Sequence, residues 1–487
     1  MNATKQIKIT LAILLALLAA GCTVDAPEHP TELVAPSGEQ IFANYVAIGN
    51  SLTAGYMDSG LIMNGQATSY PRLIAQQMGL DVSVGDSDFS QPYIDFPGIG
   101  TTESSVPGTF VSGVLHFDGT GISVVEETHL NVLQDLMLLR TLPTPYHNLG
   151  VPGATVHDVM NAYNARTSTP GDNSYFDFIN RVTLLGNLVD VPGDEDPNEQ
   201  PTMFRSAIAK GPSLLTCWAG NNDVLGGAAD GNPVVGENIT PPSVFATEYQ
   251  TLLQSLAGGL FQRTGFPATI VTANIPSITS VPYFMPKAVF ETAIGGPWPF
   301  GYEDDPNVQM VTFPALVWAA NPNHADQELP VPDDLTLTTA EVTAVEEVID
   351  AYNQTIIAVT TAVGASGLAI TDMVDAHGLL AGLSQAQRTH FVFLLPQVDY
   401  DVPTAAAMTA FSLDGVHPNN HGYGILANAF IDAIANLTGT TIAHVDETAL
   451  VWDPTYGQSV PQPTAKSMAG RPVIDERAAA GMSAIFR

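Results

Sequence analysis

Two segments far apart in the chain carry the residue types that nucleophilic catalysis needs. One is Gly49-Asn50-Ser51-Leu52-Thr53-Ala54-Gly55, the other Asp414-Gly415-Val416-His417-Pro418. A serine hydroxyl is a poor nucleophile until a base takes its proton, and the base needs a carboxylate to fix its tautomer and stabilise the imidazolium. Ser51 offers the hydroxyl, and Asp414 and His417, three apart in one Pro-flanked turn, offer the carboxylate and the base. Two further segments offer donors. Asn148-Leu149-Gly150-Val151-Pro152-Gly153-Ala154-Thr155 is a Gly-rich turn with backbone N–H groups, and Gly220-Asn221-Asn222-Asp223 adds a side-chain amide. Hydrolysing an ester builds negative charge on the carbonyl oxygen, which such donors stabilise. Taken singly, each of the four also reads as an ordinary polar turn. Ser51 is not in a GxSxG elbow, because Thr53 takes the place of the last glycine.

For four distant turns to meet, the elements before them must end on one edge. Tyr45-Val46-Ala47-Ile48 reads as a buried strand running straight into the Ser51 segment. Residues 146–149 read as a short strand before the Gly150 turn, and 213–218 as a strand before Gly220. Further strands are expected at 268–273 and 368–371, and helices at 70–78, 156–163, 244–262 and 422–437. Thr338 and Glu341 form a capping box at the start of another helix, with Leu337 and Val342 placed as a hydrophobic staple. Strands alternating with helices predict parallel βαβ units in a three-layer α/β/α domain with a mainly parallel sheet. Ligands of such sheets bind beyond the carboxyl ends of the strands, where Ser51 falls. The folded body is expected over 43–440. Stretches near 80–145, 166–210, 275–335 and 380–410 are too long for ordinary connections and read as insertions on one core. Residues 441–487, a Pro-interrupted extension, either wrap the core or are mobile.

In this order the four segments resemble the blocks of the SGNH, or GDSL-type, hydrolase family: 49–55, 150–155, 220–223 and 414–417, with Pro418 to Tyr423 continuing the likeness. The resemblance spans about residues 43–437. It implies a flavodoxin-like fold, with Ser51 as nucleophile, His417 as general base and then acid, and Asp414 as the orienting carboxylate. It also implies an oxyanion hole made by the Ser51 and Gly153 backbone N–H groups and the Asn222 side chain. The implied activity is that of a serine esterase or lipase cleaving small-molecule or lipid carboxylic esters through an acyl-enzyme, with no cofactor and no metal. Asn50 departs from the pattern by standing where the family has Asp, so local hydrogen bonding is expected to differ while the chemistry survives. A carbohydrate O-acetyl esterase of the same fold and a surface-binding lipoprotein without turnover are the competing readings. Retention of Ser51, Asp414, His417 and Asn222 argues against the second.

Lys5 and Lys8 precede an uncharged run over residues 9–20, which reads as an export signal too short to span a bilayer comfortably. It leads to Leu18-Ala19-Ala20-Gly21-Cys22, which resembles a bacterial lipobox with its large aliphatic one place further from the Cys than usual. Residues 1–21 are therefore expected to be a lipoprotein signal, Cys22 the lipidated residue, and 22–42 a flexible tether. Thr23 weakly favours the outer membrane of a bacterial cell envelope. If Cys22 is acylated, Cys217 has no disulfide partner, and its apolar setting in 214–218 reads as a small buried hydrophobe. Apolar residues are 45% of the 487 and charged ones 13%, which predicts a large core. The 49 acidic against 15 basic residues give −34, a sign that excludes nucleic acid as a partner.

Overall fold

The computed structural model describes residues 37–484 apart from 86, 101–109, 129–144, 170, 172, 174, 177–201, 303–306 and 469–473. The expected signal, Cys22 and most of the tether thus lie outside the described residues, as does part of the stretches near 80–145 and 166–210.

Four strands form the central sheet: β1 (Tyr45–Gly49), β2 (Leu214–Trp218), β3 (Ala268–Ala273) and β4 (Ala369–Val374), adjacent in that order. All three pairings are parallel, with Tyr45 opposite Leu214, Leu214 opposite Thr269, and Ala369 opposite Ala268. β1, β2 and β3 are buried along their whole length, as strands covered on both faces must be. Alternate side chains feed two cores. Val46, Ile48, Leu215 and Cys217 enter one, and Tyr45, Ala47, Leu214 and Trp218 the other. Cys217 is fully buried, and burial pushes its thiol up to about 12, so it packs as a hydrophobe.

Helices cover both faces, giving the three-layer α/β/α arrangement. They are α1 (Ser51–Ala54), α2 (Tyr70–Gln77), α3 (Val156–Asn161), α4 (Met203–Lys210), α5 (Asn222–Ala229), α6 (Pro242–Thr264), α7 (Thr339–Ala365) and α8 (Asn420–Thr438). Buried residues of α2 and α8 join the Tyr45 core, while those of α3 to α7 join the Val46 core. The capping box expected at Thr338 is present: its hydroxyl receives the Glu341 N–H, and the Glu341 carboxylate receives the Thr338 N–H at 2.7 Å. Such a cap contributes about 1 kcal/mol.

Several expectations need correction. Residues 146–149 do not form a strand; only Asn148 bridges Ala47, between bonds from Ala47 N–H to the His147 carbonyl and from Leu149 N–H to the Ala47 carbonyl. The Asn148 side chain holds it there by donating to Thr53 and Gln91 instead of alternating across a pleat. With this segment counted second, the sheet order is 2-1-3-4-5, the flavodoxin-like order. Ordered structure begins before residue 43, because Gly38–Ala43 is a 3₁₀ turn whose Ile41 and Phe42 join the Tyr45 core. The stretches read as irregular contain sheets of their own. Phe110–Phe117 pairs antiparallel with Ile122–Thr128 across a turn in which Asp118 Oδ1 accepts the Thr120 and Gly121 N–H groups. Phe284–Pro286, Val308–Thr312 and Thr336–Thr338 form a second antiparallel sheet. The extension after 440 wraps the core, burying Ile442, Val445, Trp452, Ile474 and Met482.

Candidate active site

β1 delivers its carboxyl end into a turn that no other residue than glycine fits at position 49. A Cβ there would stand 2.4 Å from the Trp218 carbonyl oxygen of the adjacent strand end. Asn50 then caps α1 by accepting the Leu52 N–H on Oδ1 at 3.1 Å, while its Nδ2 has no partner among the described residues. Ser51 is the first residue of α1 and is 5% exposed.

The second segment arrives from the other end of the chain. Gly415, at φ +72°, lets the backbone reverse so that the Asp414 carboxylate faces its own turn. Asp414 Oδ1 accepts the N–H groups of Val416 at 2.9 Å and His417 at 2.8 Å. Its Oδ2 accepts the Ser59 N–H at 2.9 Å and lies 3.0 Å from His417 Nδ1. Burial alone would raise this carboxyl, but His417 and the N–H donors outweigh it, and the group lies below the usual carboxylate range. An ionised carboxylate only accepts, so Nδ1 carries the imidazole proton and Nε2 is left to accept from Ser51 Oγ, 2.8 Å away. The three residues predicted from the sequence thus form one unbroken hydrogen-bonded chain, with His417 and Asp414 buried.

The predicted donors lie at the neighbouring strand end. Asn222 opens α5, and its Nδ2 donates to the Ala154 carbonyl at 2.9 Å, tying the Gly220 segment to the Gly150 turn. An amide nitrogen carries two hydrogens, so one remains for a ligand. The Ser51 and Gly153 N–H groups donate to no group among the described residues. Asp223 completes the tie by accepting the Val156 N–H and the Thr240 hydroxyl, each at 3.0 Å; burial lifts its carboxyl to about 7.

Two cavities meet at Asn222. One, about 80 Å³, is bordered by Ser51, His417, Asn221 and Asn222 and otherwise walled by apolar side chains including Leu52, Trp218, Leu225, Ile278, Phe411 and Ile425. The other, about 680 Å³, exposes polar and apolar surface in about equal measure and takes in Gly153, Thr155, His157, Glu237 and Glu248.

Across the whole body the sequence model of the family described as GDSL-like Lipase/Acylhydrolase matches residues 45–430. The chain belongs to that family. No curated protein and no solved structure matches it. As a GDSL-like acylhydrolase the protein is a hydrolase of esterase or lipase type, acting on ester substrates.

Sequence reasoning missed the residues that grip the acid end of this GDSL-like site. Asp58 is fully buried between the catalytic-type turn and the C-terminal extension. It accepts the Leu413 N–H at 2.7 Å on one oxygen, and Trp452 Nε1 at 3.2 Å and the Tyr456 hydroxyl at 2.5 Å on the other. Its own N–H donates to Ser412 Oγ at 3.0 Å. Burial raises the Asp58 carboxyl to about 7 against the pull of those three donors. Asp58 and Ser59 both have φ +55°, a conformation unusual for side-chain-bearing residues, and it is the Ser59 N–H that reaches Asp414. No local pattern around Asp58 distinguishes it from a solvent-facing turn acid. The Tyr56 ring lies tilted against that of His417, the centroids 4.7 Å apart.

Proposed function

We propose that the protein is a serine esterase or lipase that cleaves carboxylic esters through an acyl-enzyme on Ser51. The observation that carries this reading is the Asp414–His417–Ser51 chain ending beside an apolar cavity. His417 Nε2 takes the Ser51 proton as Oγ bonds to the ester carbonyl carbon. The oxyanion so formed falls to the Ser51 and Gly153 N–H groups and the free Asn222 hydrogen. As the C–O bond to the alcohol breaks, His417 returns the proton to the departing oxygen and Ser51 is left acylated. Water, deprotonated by His417, attacks the acyl carbon and releases the acid, and the proton returns to Ser51. A fluorophosphonate probe tests the reading. Wild type should label and Ser51→Ala should neither label nor turn over an ester; equal labelling of the two would move the nucleophile elsewhere and reject it.

A second reading, hydrolysis of acetylated carbohydrate, draws support from the larger cavity bordered by Gly153 and Asn222, whose Thr155, His157, Glu237 and Glu248 suit a hydroxyl-rich alcohol. A series of esters of one alcohol from acetyl to decanoyl separates the two: a maximum at acetyl favours the carbohydrate reading, and one at longer chains the lipase reading.

Among the described residues no helix is long and apolar enough to cross a membrane. We propose attachment to the bacterial cell envelope, in its outer membrane, through lipid on Cys22, supported by the lipobox-like run before it. Cys22→Ser should leave the signal uncleaved or release the protein from the membrane fraction. Unchanged processing and association would reject the anchor.

A further inference from the structure

The apolar cavity beside Ser51 crosses the carboxyl edge of the central sheet. Its border starts at Ser51 after β1, passes Trp218 at the end of β2 and Ile275 after β3, and reaches Leu380 and Leu383 after β4. Leu225 of α5 flanks it from one core and Ile425 of α8 from the other side. The floor is fixed. Trp218 Nε1 donates to the Asn274 carbonyl at 3.1 Å, and Asn353 of α7 grips Ile275 by accepting its N–H at 2.7 Å and donating to its carbonyl at 2.9 Å. The far end is less firmly built. Leu380 belongs to a short helix, Ala376–Ala381, whose turn continues through a 3.3 Å bond from the Leu383 N–H to the Leu380 carbonyl, and both leucines are only half-buried.

Which half of the ester lies here follows from the second half-reaction. Water must reach the acyl carbon from the side the alcohol has left, and a water molecule needs several polar partners. Almost all of this cavity's surface is apolar, so it is no path for that water. The acyl chain, which stays bound through both steps, belongs in it. Resting on the reading of Ser51 as nucleophile, we infer that the preferred substrates are esters of plain aliphatic acids of about six to eight carbons, whose chain ends against Leu380 and Leu383. At roughly 10–15 Å³ for each water-sized group, a cavity of about 80 Å³ takes on the order of five to eight heavy atoms beyond the carbonyl. An acetyl group leaves most of that space unfilled, and a dodecanoyl chain overruns it.

The test measures kcat/KM on p-nitrophenyl esters from acetyl to hexadecanoyl in wild type, Leu380→Ala, Leu383→Ala and the double variant. Wild type should gain up to about fourfold for each methylene added, peak at hexanoyl or octanoyl, and fall by about tenfold or more at dodecanoyl. The variants open the far end, so their maximum should move to decanoyl or longer, which also shows that solubility did not limit the long esters. A wild-type maximum at acetyl, or a rise that continues to hexadecanoyl, would overturn the inference. So would an unmoved maximum in variants that melt like wild type; if the double variant unfolds, the single ones carry the comparison. A length optimum that follows the alcohol, in acetates of ethanol to decanol, would overturn it too, placing the alcohol in the cavity. Ser51→Ala, run alongside, separates these outcomes from failure of the nucleophile assignment, because that failure alone leaves turnover in the serine variant.

Discussion

The two ends of the Ser51–His417–Asp414 chain are held in opposite ways. Ser51 is positioned by its immediate neighbours: β1 before it, Gly49 against the Trp218 carbonyl, and the Asn50 cap. Asp414 is positioned by the Ser59 N–H, 355 residues away in sequence, and the turn that supplies it is pinned through Asp58 by Trp452 and Tyr456 of the C-terminal extension. A nucleophile needs one exposed edge and a tight turn, which a strand and a glycine provide locally. A buried carboxylate must have every lone pair answered, and the donors come from wherever the fold can bring them. The long extension thus belongs to the site although none of it borders the cavity.

The largest expected effect lies at the remotely held end. Asp414→Asn should lower kcat about 1000- to 10,000-fold, because the imidazole loses the carboxylate that fixes its tautomer. Steady-state kinetics on a short-chain aryl ester would check it, and an unchanged kcat/KM would remove Asp414 from the chain. At the locally held end, Asn222→Ala should lower kcat on the order of 100- to 1000-fold with KM nearly unchanged, as expected of a donor used in the transition state. If melting temperature falls instead while kcat stays at the wild-type value, the bond to Ala154 is its whole role.

A smaller effect sharpens the contrast. In Asp58→Asn the amide N–H faces either the Leu413 N–H or the Trp452 Nε1–H, with only the Tyr456 hydroxyl able to turn and accept it, so stability should fall by about 1–3 kcal/mol and kcat by about tenfold, with Ser51 still labelling. The sign of its pH dependence follows from the shift. Asp58 is raised in the folded protein from 3.8 to about 7, so its contribution is fully present below about 3.8 and is lost as pH rises through about 7. The melting temperature of Asp58→Asn should therefore depend less on pH than that of wild type between about 4 and 7. Parallel curves would show that Asp58 does not hold its proton in the folded state.

The same contrast explains what could be read in advance. β1 and β2 were legible as short apolar runs ending at or near glycine, β3 as one bounded by Pro267 and Pro276, and the start of α7 as a capping box, because each is decided within a few residues. The four segments around Ser51, Gly153, Asn222 and His417 were legible as a set because their order resembles one family. The antiparallel sheet of 284–286, 308–312 and 336–338 was not, since its strands are three to five residues long and pair across wide gaps in sequence. Asp58 was invisible for the same reason: its partners are assembled by tertiary structure.

The central claim is that the locally held serine becomes acylated during turnover. Rapid acid quench of wild type with an activated octanoyl ester, followed by peptide mass mapping, should find one octanoyl group on the peptide carrying Ser51, accumulating faster than it decays. Turnover with no acylated peptide, or with the acyl group on any residue other than Ser51, would contradict the account.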